Sequence, residues 1–427
     1  MNGLSQQAVE ETHPVSKQHS GGVPVIDLSQ DTDQLVDQIV HACSTYGFFQ
    51  VINHDISPNL IQAFRRQNKL YFEDSLSVQE KREKFKRHAG NSRGYFDDEY
   101  TKQRKDWKQC LDVGMPGGDR NWHSNNVPDN HPDKACLDGL NQFPTVQDHA
   151  ELGDFRRIVV QYFEACAELA HQLTVLMEQG LYQRICGTSG TNQSQTNGDV
   201  MSFVNQLRDQ HTSYLRMNYY PPLTNATSTD KENDQTGPSP LGISPHKDAG
   251  YLTVLLQDDD CHSLQVWDTT SGSDGQWTTV HPIPGAFTVN TGDMAQVRSN
   301  GLYQAPLHRV LADPHKKRYS APFFYNPGYQ TKVAPVTLGN AKPRYYDILW
   351  GYFRAVRFAG DLTSDLGVED IQIDHFEIDT AQKDETQRAL SQHHLEKQKL
   401  FAQQVNVQEP FNVDMYRHLL TMTDESQ

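Results

Sequence analysis

The sequence lacks the features of a secreted or membrane protein. No apolar run approaches the roughly 18 residues that span a bilayer. The first 22 residues, MNGLSQQAVEETHPVSKQHSGG, have neither a basic start nor an apolar core, so they do not read as a signal peptide. Cysteine is scarce, with six in 427 residues and none in a CxxC pair, which is typical of a reducing compartment. We therefore expect a cytoplasmic protein that does not bind membranes.

The chain also has few basic residues. Lys and Arg number 38 against 54 Asp and Glu, which gives a formal net charge of −16. Such a charge argues against nucleic-acid binding, because phosphate backbones attract basic surfaces. A local basic pocket for a small acidic ligand remains compatible with it. We expect a small-molecule substrate, no nucleic-acid partner and a monomeric protein.

Polar and apolar patterns divide the chain into six segments. Residues 1–20 are polar, and we predict that they form a disordered tail. Helical periodicity is found at 33–46, 59–85, 152–181, 343–358 and 380–405. The predicted segments are the tail over 1–20, an N-terminal region over 21–150, a long helix with a polar insertion over 151–205, a core over 206–330, a helical segment over 331–375 and a helical C-terminal tail over 376–427.

The core is rich in short β-type runs that Gly, Asn and Asp turns separate. This pattern predicts a sandwich or a barrel. Two stretches rich in Gly, Ser, Thr, Asn and Asp, at 186–200 and 223–241, are predicted to be exposed loops. The predicted strands cover 214–220, 251–257, 264–268, 276–280, 286–290, 294–297, 307–311 and 319–325.

A candidate metal site lies in the segment SPHKDAG. His246 and Asp248 are two residues apart, so an extended chain points both side chains the same way. His308, in APLHRV, follows after several strands and turns and is the candidate third ligand. Two histidines and one carboxylate on one face of an octahedron leave three positions open, as non-haem iron(II) oxygenases require.

The same spacing occurs a second time, at His131 and Asp133. A bare HxD pair is therefore weak by itself, and in a chain with 19 histidines most single ones are structural or surface residues. The pair at 246 and 248 differs from the other pair in the polar residues that accompany it further along the chain.

These accompanying residues form a candidate receptor for a dicarboxylate. Arg318 and Ser320, in KRYSAPFFYNP, share one strand face and offer a guanidinium and a hydroxyl to a carboxylate. A buried polar cluster is costly unless a partner satisfies it, and a bound dicarboxylate would do so. The upstream segment LRMNYYPP adds three polar side chains on one strand face: Arg216, Asn218 and Tyr220.

The set HKD, a distant His and RYS, preceded by RMNYYPP, resembles the iron(II)/2-oxoglutarate-dependent dioxygenases. It is most similar to the subgroup of isopenicillin N synthase, gibberellin oxidases and anthocyanidin synthase. VPVIDL, YGFFQVINH and DWKQCLDVG resemble the N-terminal region of that subgroup, and SNGLYQAPLHRVL and PRYYDILWGYFRAVRF resemble its core and C-terminal helix. The resemblance covers residues 20–375. It implies an α+β fold with a mainly β core, a double-stranded β-helix (jelly roll) with flanking N- and C-terminal helices.

The resemblance also implies cofactors and their ligands. Fe(II) would be bound by His246, Asp248 and His308. The C5 carboxylate of 2-oxoglutarate would be bound by Arg318 and Ser320, with Asn218 and Tyr220 as further contacts. With O₂ as the other co-substrate, 2-oxoglutarate would be decarboxylated to succinate and CO₂ while a secondary metabolite undergoes hydroxylation, desaturation or oxidative cyclisation.

Three cationic residues are candidate anchors for an acidic substrate. Arg93, in NSRGYF, occupies the stretch that lines the substrate pocket in the subgroup that this chain resembles. Arg298 and Lys247 stand where related sequences often carry an apolar residue and a threonine. The alternative for Arg298 is a surface salt bridge, and the side chain of Lys247 should face away from the metal.

Two other functions remain open at this point. The chain could be an iron oxidase of the same fold that does not consume 2-oxoglutarate, since such relatives keep the Arg-x-Ser pair; Asn218 together with Tyr220 favours 2-oxoglutarate. It could also be a ligand-binding protein without activity, against which the presence of all three metal ligands argues.

Overall fold

The computed structural model describes residues 22–101, 104–114, 138–186, 193–223, 241–270, 275–337, 341–362, 371–378, 383–407, 409 and 411–420. The second HxD pair, at His131 and Asp133, lies outside them, as do the predicted tail over 1–20 and most of the predicted loop over 223–241.

The described α-helices include one long helix in the middle of the chain and several shorter ones. None of them is long and apolar enough to cross a membrane. The helices are α1 (Thr32–Thr45), α2 (Pro58–Lys69), α3 (Val78–Lys84), α4 (Phe155–Cys186), α5 (Gln193–Gln210), α6 (Asp293–Arg298), α7 (Trp350–Leu362), α8 (Glu385–Gln404) and α9 (Arg417–Leu420).

The strands are short and lie mostly in the predicted core. They are β1 (Val25–Asp27), β2 (Phe48–Ile52), β3 (Gly94–Phe96), β4 (Tyr100–Thr101), β5 (Arg104–Lys105), β6 (Gln109–Gly114), β7 (Tyr214–Tyr220), β8 (Leu241–His246), β9 (Leu252–Gln257), β10 (Leu264–Asp268), β11 (Gln276–Thr279), β12 (Phe287–Thr291), β13 (His308–Leu311), β14 (Arg318–Tyr325), β15 (Lys332–Val333) and β16 (Ile348–Leu349).

Two sheets form the core of the molecule. The larger has eight strands in the order β1-β2-β12-β9-β14-β7-β6-β3, and the smaller has four in the order β11-β10-β13-β8. Only β1 and β2 pair in parallel within these sheets, and the other neighbouring strands described are antiparallel. The described strands form open sheets that do not close into a barrel, and helices are interspersed among them along the chain.

An apolar cluster joins the two sheets. Alternate residues of a strand point to opposite faces, so each sheet contributes one face to the space between them. The cluster consists of Val23, Phe48, Tyr220, Leu255, Leu264, Val266, Val280 and Val310.

A larger apolar cluster covers the other face of the eight-stranded sheet. Helix α4 packs there against β9 and β14, with the Phe163 ring edge-on to Phe323 at 4.8 Å. Phe64 of α2 stacks on Tyr162 at 3.8 Å between ring centroids, a contact worth about 1 kcal/mol beyond its burial. At Gly180 a Cβ would lie 2.0 Å from Val40, so this glycine permits the close approach of α1 and α4.

One predicted strand is a helix in the structure. Residues 294–297 were expected to be extended, but they belong to α6. The first backbone N–H groups of this helix are held by carbonyls of the turn that follows β8: Asp293 donates to Asp248 and Met294 to Gly250, at 2.8 and 3.0 Å. These long-range bonds outweigh the local β preference, which is why the sequence pattern misled.

The polar stretch at 186–200 is also not the loop that we predicted throughout its length. Helix α5 begins at Gln193 and continues to Gln210. Its apolar residues join the large cluster, and their burial stabilises a helix whose intrinsic preference is weak. The buried residues are Val200, Phe203, Val204 and Leu207.

Candidate active site

Three side chains that could hold a metal ion come together at the edge of the four-stranded sheet. His246 ends β8 and His308 begins β13, and the two are direct partners in the antiparallel pairing of these strands. Asp248 follows β8 in the turn. Its Oδ1 lies 3.7 Å from Nε2 of each histidine, and one ligand atom from each of the three falls within 4.8 Å of the others. Among the described residues this is the one group of three or more His, Cys, Asp or Glu with that geometry.

Hydrogen bonds to the far side of each imidazole select the nitrogen that faces the site. Nδ1 of His246 is 2.9 Å from the carbonyl of Ser244, and Nδ1 of His308 is 3.2 Å from the carbonyl of Pro306. A carbonyl oxygen only accepts, so each Nδ1 carries the proton and donates. The lone pair of each Nε2 is left for a metal ion.

The carboxylate of Asp248 is oriented in the same manner. Its Oδ2 accepts hydrogen bonds from Oγ1 of Thr253 at 2.6 Å and from Nδ2 of Asn290 at 2.8 Å. These bonds leave Oδ1 towards the two histidines. Two imidazole nitrogens and one carboxylate oxygen in this arrangement fit Fe(II).

The charge states also suit a cation. Burial by itself would raise the pKa of Asp248, but the imidazoles of His308 and His246 and the hydrogen bonds from Asn290 and Thr253 hold that pKa below its usual value. Burial, followed by the proximity of His308, lowers the pKa of His246. Metal ligands must be deprotonated, and these shifts favour a carboxylate beside a neutral imidazole.

The candidate ligands open into a cavity of about 540 Å³ between the two sheets. Apolar side chains from both sheets line one part of it, including Leu255, Leu264 and Val310. Helix α7 contributes Arg354 and Arg357 to another part. A cavity of this size accommodates two small organic molecules side by side next to the metal position.

All four predicted contacts of 2-oxoglutarate line this cavity: Arg318, Ser320, Asn218 and Tyr220. Arg318 pairs with Tyr220, and Ser320 with Asn218, across β14 and β7. Nδ2 of Asn218 donates to Oγ of Ser320 at 3.2 Å. The Arg318 guanidinium lies over the Tyr220 ring at 4.9 Å.

Arg318 is 2% exposed and is incompletely satisfied by protein groups. Its Nη2 donates to Oε1 of Gln257 at 3.3 Å, whereas Nε and Nη1 have no hydrogen-bond partner. No carboxylate oxygen of the described residues lies within the 4.0 Å of an ion pair from it. A buried cation in this state requires an anionic ligand.

Two of the three predicted substrate anchors, Arg93 and Arg298, do not line this cavity. Arg93 is 1% exposed, does not line the cavity, and pairs with Asp138 at 2.9 Å. The end of β6 covers it, since a Cβ on Gly114 would lie 2.4 Å from its guanidinium. Arg93 is therefore held by a buried carboxylate inside the fold.

Arg298 also does not line the cavity. Its Nη2 lies 3.2 Å from a carboxylate oxygen of Glu178, a fully buried residue of α4, and its guanidinium stacks on Phe203 at 4.2 Å. It is therefore an internal ion pair rather than the surface salt bridge that we considered. Lys247, the third candidate, does line the cavity.

One charged wall of the cavity was not predicted from the sequence. Glu99 and Lys108 line it, and Lys108 pairs with Glu99 at 2.6 Å and with Asp106 at 3.0 Å. Arg216, which we expected to face the co-substrate, is bonded through two nitrogens to Asp112 and through a third to Glu99. Part of the signal was available, because charged residues at 106, 108 and 112 recur at every second or fourth position, and Asp112 shares one face of β6 with Cys110.

Comparison with known proteins gives two family matches. Residues 211–327 match the 2OG-Fe(II) oxygenase superfamily, and residues 23–145 match the non-haem dioxygenase in morphine synthesis N-terminal family. Similar curated proteins include jasmonate-induced oxygenase 3 of Arabidopsis thaliana, 29% identical over 78% of this chain and 80% of the relative. Gibberellin 20 oxidase 2 of the same plant is 30% identical over 78% of this chain and 76% of the relative.

Solved structures agree. JOX2 in complex with 2OG, Fe and JA superposes with a TM-score of 0.56 at 26% identity, covering 78% of this chain and 83% of that one. A 2OG-Fe(II) oxygenase family protein of Caulobacter crescentus has a TM-score of 0.60 at 21% identity over 80% of this chain and 99% of that one, which shows the jelly-roll fold alone. The chain belongs to the iron(II)/2-oxoglutarate-dependent dioxygenases and is an enzyme of that family, with Fe(II) and 2-oxoglutarate as its cofactor and co-substrate.

Proposed function

We propose that this dioxygenase oxidises a small carboxylic acid of secondary metabolism by hydroxylation, desaturation or oxidative cyclisation. One observation carries the proposal. Among the cations that line the cavity, Arg318 and Lys247 have no carboxylate of the described residues within the 4.0 Å of an ion pair. Two lining cations that form no ion pair with the described residues favour two anionic ligands, 2-oxoglutarate and the substrate.

The other lining cations each have a carboxylate of the protein within ion-pair distance. Lys108 has Glu99 and Asp106, and Arg216 has Asp112. On helix α7, Arg354 lies 3.4 Å from an oxygen of Asp138, and Arg357 lies 3.1 Å from an oxygen of Asp293. A ligand carboxylate gains less from a cation that is already paired, because the internal carboxylate opposes it.

We assign the buried cation to the co-substrate. The unsatisfied Nε and Nη1 of Arg318, with the hydroxyl of Ser320, form a receptor for the C5 carboxylate of 2-oxoglutarate. Asn218 and Tyr220 complete that end of the cavity. A bound carboxylate would satisfy donors that are otherwise buried at a cost of a few kcal/mol.

We assign Lys247 to the substrate. It stands between two metal ligands in the chain, it is half-buried, and it lines the same cavity. An ammonium that lines the same cavity would bind a carboxylate of the substrate and restrict its orientation. The names of similar proteins mention jasmonate, gibberellin and homoarginine, which are different compounds. We therefore base the proposal of an acidic substrate on the charges that line this cavity and not on these names.

The protein's own contribution is to hold and enclose the reactants. When bound, iron(II) and 2-oxoglutarate supply the oxidising chemistry, in which 2-oxoglutarate becomes succinate and CO₂. Nε2 of His246, Nε2 of His308 and Oδ1 of Asp248 would hold the metal. The apolar lining from both sheets keeps water from the substrate.

A turnover assay with paired ligands tests the substrate class. The iron-loaded enzyme is given 2-oxoglutarate, O₂ and a panel of small carboxylic acids, each beside its methyl ester, and succinate is measured. We expect acids to stimulate succinate formation and their esters to fail. Lys247→Ala should raise KM for the acid at least tenfold and leave KM for 2-oxoglutarate unchanged, while Lys332→Ala, at an exposed position of β15, should change neither.

The two assignments fail separately in this assay. Esters that stimulate as well as acids would refute the acidic substrate without affecting the co-substrate site. Arg318→Met should raise KM for 2-oxoglutarate, and an unchanged KM there would refute the assignment of the C5 carboxylate.

A further inference from the structure

A row of polar side chains crosses four neighbouring strands of the large sheet. Cys110 of β6 pairs with Asn218 of β7, Asn218 with Ser320 of β14, and Ser320 with Gln257 of β9. Residues that are partners in a sheet point to the same face, so the four side chains form one line at the level of the proposed carboxylate receptor. All four are less than a tenth exposed.

Hydrogen bonds run along this row in one direction. Sγ of Cys110 donates to Oδ1 of Asn218 at 3.0 Å, and Nδ2 of Asn218 donates to Oγ of Ser320 at 3.2 Å. The oxygen and nitrogen of an amide lie on opposite sides, so the thiol donor fixes which of them faces Ser320. Because Ser320 accepts from Asn218, its own hydroxyl proton is directed to another acceptor, either the Tyr220 oxygen beside it or a bound carboxylate.

The Cys110 thiol is suited to orienting the Asn218 amide, and the described part of the chain shows no other role for it. Cys110 is fully buried, is not a candidate metal ligand, and does not itself line the cavity. Burial raises the pKa of the Cys110 thiol, so it keeps its proton and remains a donor. On the other side of the receptor, Gln257 accepts from Nη2 of Arg318 and donates to Thr288, which fixes the guanidinium in a similar way.

We infer that Cys110 is a positioning residue for 2-oxoglutarate, which acts through Asn218 to make Ser320 a donor to the C5 carboxylate. This inference rests on the co-substrate site proposed above. Without a donor at position 110, the amide of Asn218 is free to turn over and present its oxygen to Ser320. The Ser320 hydroxyl would then donate to Asn218 rather than to the ligand.

Binding of two oxo acids to the iron-loaded enzyme without O₂ tests this role by calorimetry. 2-Oxoglutarate has the distal carboxylate, and 2-oxobutyrate lacks it. Loss of one hydrogen bond of this kind in Cys110→Ala should weaken 2-oxoglutarate binding about three- to tenfold. The affinity for 2-oxobutyrate should stay the same, and Cys110→Ser, which keeps a donor, should bind 2-oxoglutarate like the unaltered protein.

Cys43→Ala is the matched control, because Cys43 is an equally buried thiol of α1 far from the row, and it should alter neither affinity. If Cys110→Ala proves unstable, Cys110→Val fills the volume of the thiol without a donor. Unchanged 2-oxoglutarate binding in the variants without a donor overturns the inference. An equal loss with 2-oxobutyrate, or the same loss in Cys110→Ser, also overturns it, since either result indicates a merely structural role.

Failure of the underlying site is recognisable in the same measurements. If Arg318→Met and Ser320→Ala both leave 2-oxoglutarate binding unchanged, the proposed receptor itself is wrong. If they weaken binding and Cys110→Ala does not, the receptor stands and only the role of Cys110 is refuted.

Discussion

Each ligand side chain of the candidate iron site has two polar atoms. In each side chain, one of these two atoms forms a hydrogen bond with the protein. Nδ1 of His246 and Nδ1 of His308 donate to backbone carbonyl oxygens. Oδ2 of Asp248 accepts hydrogen bonds from Thr253 and Asn290. The remaining atoms, Nε2 of each histidine and Oδ1 of Asp248, lie close together. Hydrogen bonds that orient the ligand side chains reduce the ordering cost of binding a cation.

Thr253→Val tests this arrangement at the level of one hydrogen bond. Valine has nearly the same shape as threonine but cannot donate to Oδ2 of Asp248, so the carboxylate is held by Asn290 alone. We expect iron(II) affinity to fall about 10- to 100-fold, measured by anaerobic titration. Thr174→Val removes another buried hydroxyl bond, to Ala170 within α4, and should leave iron binding intact. Equal iron affinity in the two variants would contradict the prediction.

At the level of elements, the junction of β12 and α6 sets the backbone of the metal-binding turn. A Cβ on Gly292 would lie 2.2 Å from the carbonyl oxygen of Gly250 and 2.9 Å from that of Asp248. The backbone of Asp248 and Gly250 cannot shift away from such a Cβ without moving Asp248, a candidate metal ligand. The requirement for glycine at this position comes from close packing and not from an unusual backbone angle, since its φ is −108°.

Gly292→Ala should therefore damage both stability and the site. We expect a loss of about 1–3 kcal/mol in the free energy of unfolding, with weaker iron binding. Gly360→Ala, in helix α7, meets no atom within 4 Å and should keep iron binding and stabilise the protein by up to about 1 kcal/mol. Urea unfolding of both variants measures the difference, and a stable Gly292→Ala protein with normal iron affinity would refute it.

Sequence patterns predicted these elements unequally, and the reasons are physical. The strand at Tyr214–Tyr220 was predicted with its correct ends, and α1 within one residue, because period and burial agree there. The helix at Asp293–Arg298 was missed because its cause lies in contacts with a distant turn. The metal triad was predicted because the His246-x-Asp248 spacing and the residues after His308 form a motif, whereas no motif marks Asp138 and Glu178 as the partners of Arg93 and Arg298.

Helix α8 packs on the enzyme core through a buried histidine, which makes its attachment depend on pH. His394 bonds to the Tyr352 hydroxyl at 2.8 Å and stacks on His375 at 5.0 Å. Burial, with His375 and His393 nearby, lowers the pKa of His394 to about 3. Below its ordinary value of 6.5 the unfolded chain binds a proton here and the folded protein does not, so stability is lost as pH falls.

Comparison of His394→Asn with the unaltered protein isolates this effect. Asparagine can still meet Tyr352 but does not titrate, so the stability advantage of the unaltered protein should shrink by about 1.4 kcal/mol for each pH unit below 6.5. Urea unfolding at pH 7 and pH 4.5 measures this advantage. His41→Asn, at an exposed position of α1, serves as the control, and parallel pH curves for His394→Asn and the unaltered protein would show that His394 has no such role.

At the scale of the whole molecule, ligand binding connects the two sheets. The metal ligands come from β8, β13 and the turn between β8 and β9, whereas the proposed carboxylate receptor is on β7 and β14 of the larger sheet. Iron and 2-oxoglutarate together would therefore bridge the sandwich across its own interior. Ligands that bind the folded state alone stabilise it in proportion to the logarithm of their concentration over Kd.

We expect iron(II) and 2-oxoglutarate each to raise the Tm of the protein, in two shifts that can be measured separately. At a concentration of about 100 times Kd, each ligand adds about 2.7 kcal/mol, and both additions are measured as shifts of Tm without O₂. His308→Ala should lose both shifts, because the oxo acid is held largely through the metal. Arg318→Met should keep the iron shift and lose most of the shift that 2-oxoglutarate adds. If 2-oxoglutarate stabilises Arg318→Met as strongly as the unaltered protein, its distal carboxylate binds elsewhere, and the two sheets are not bridged by this ligand.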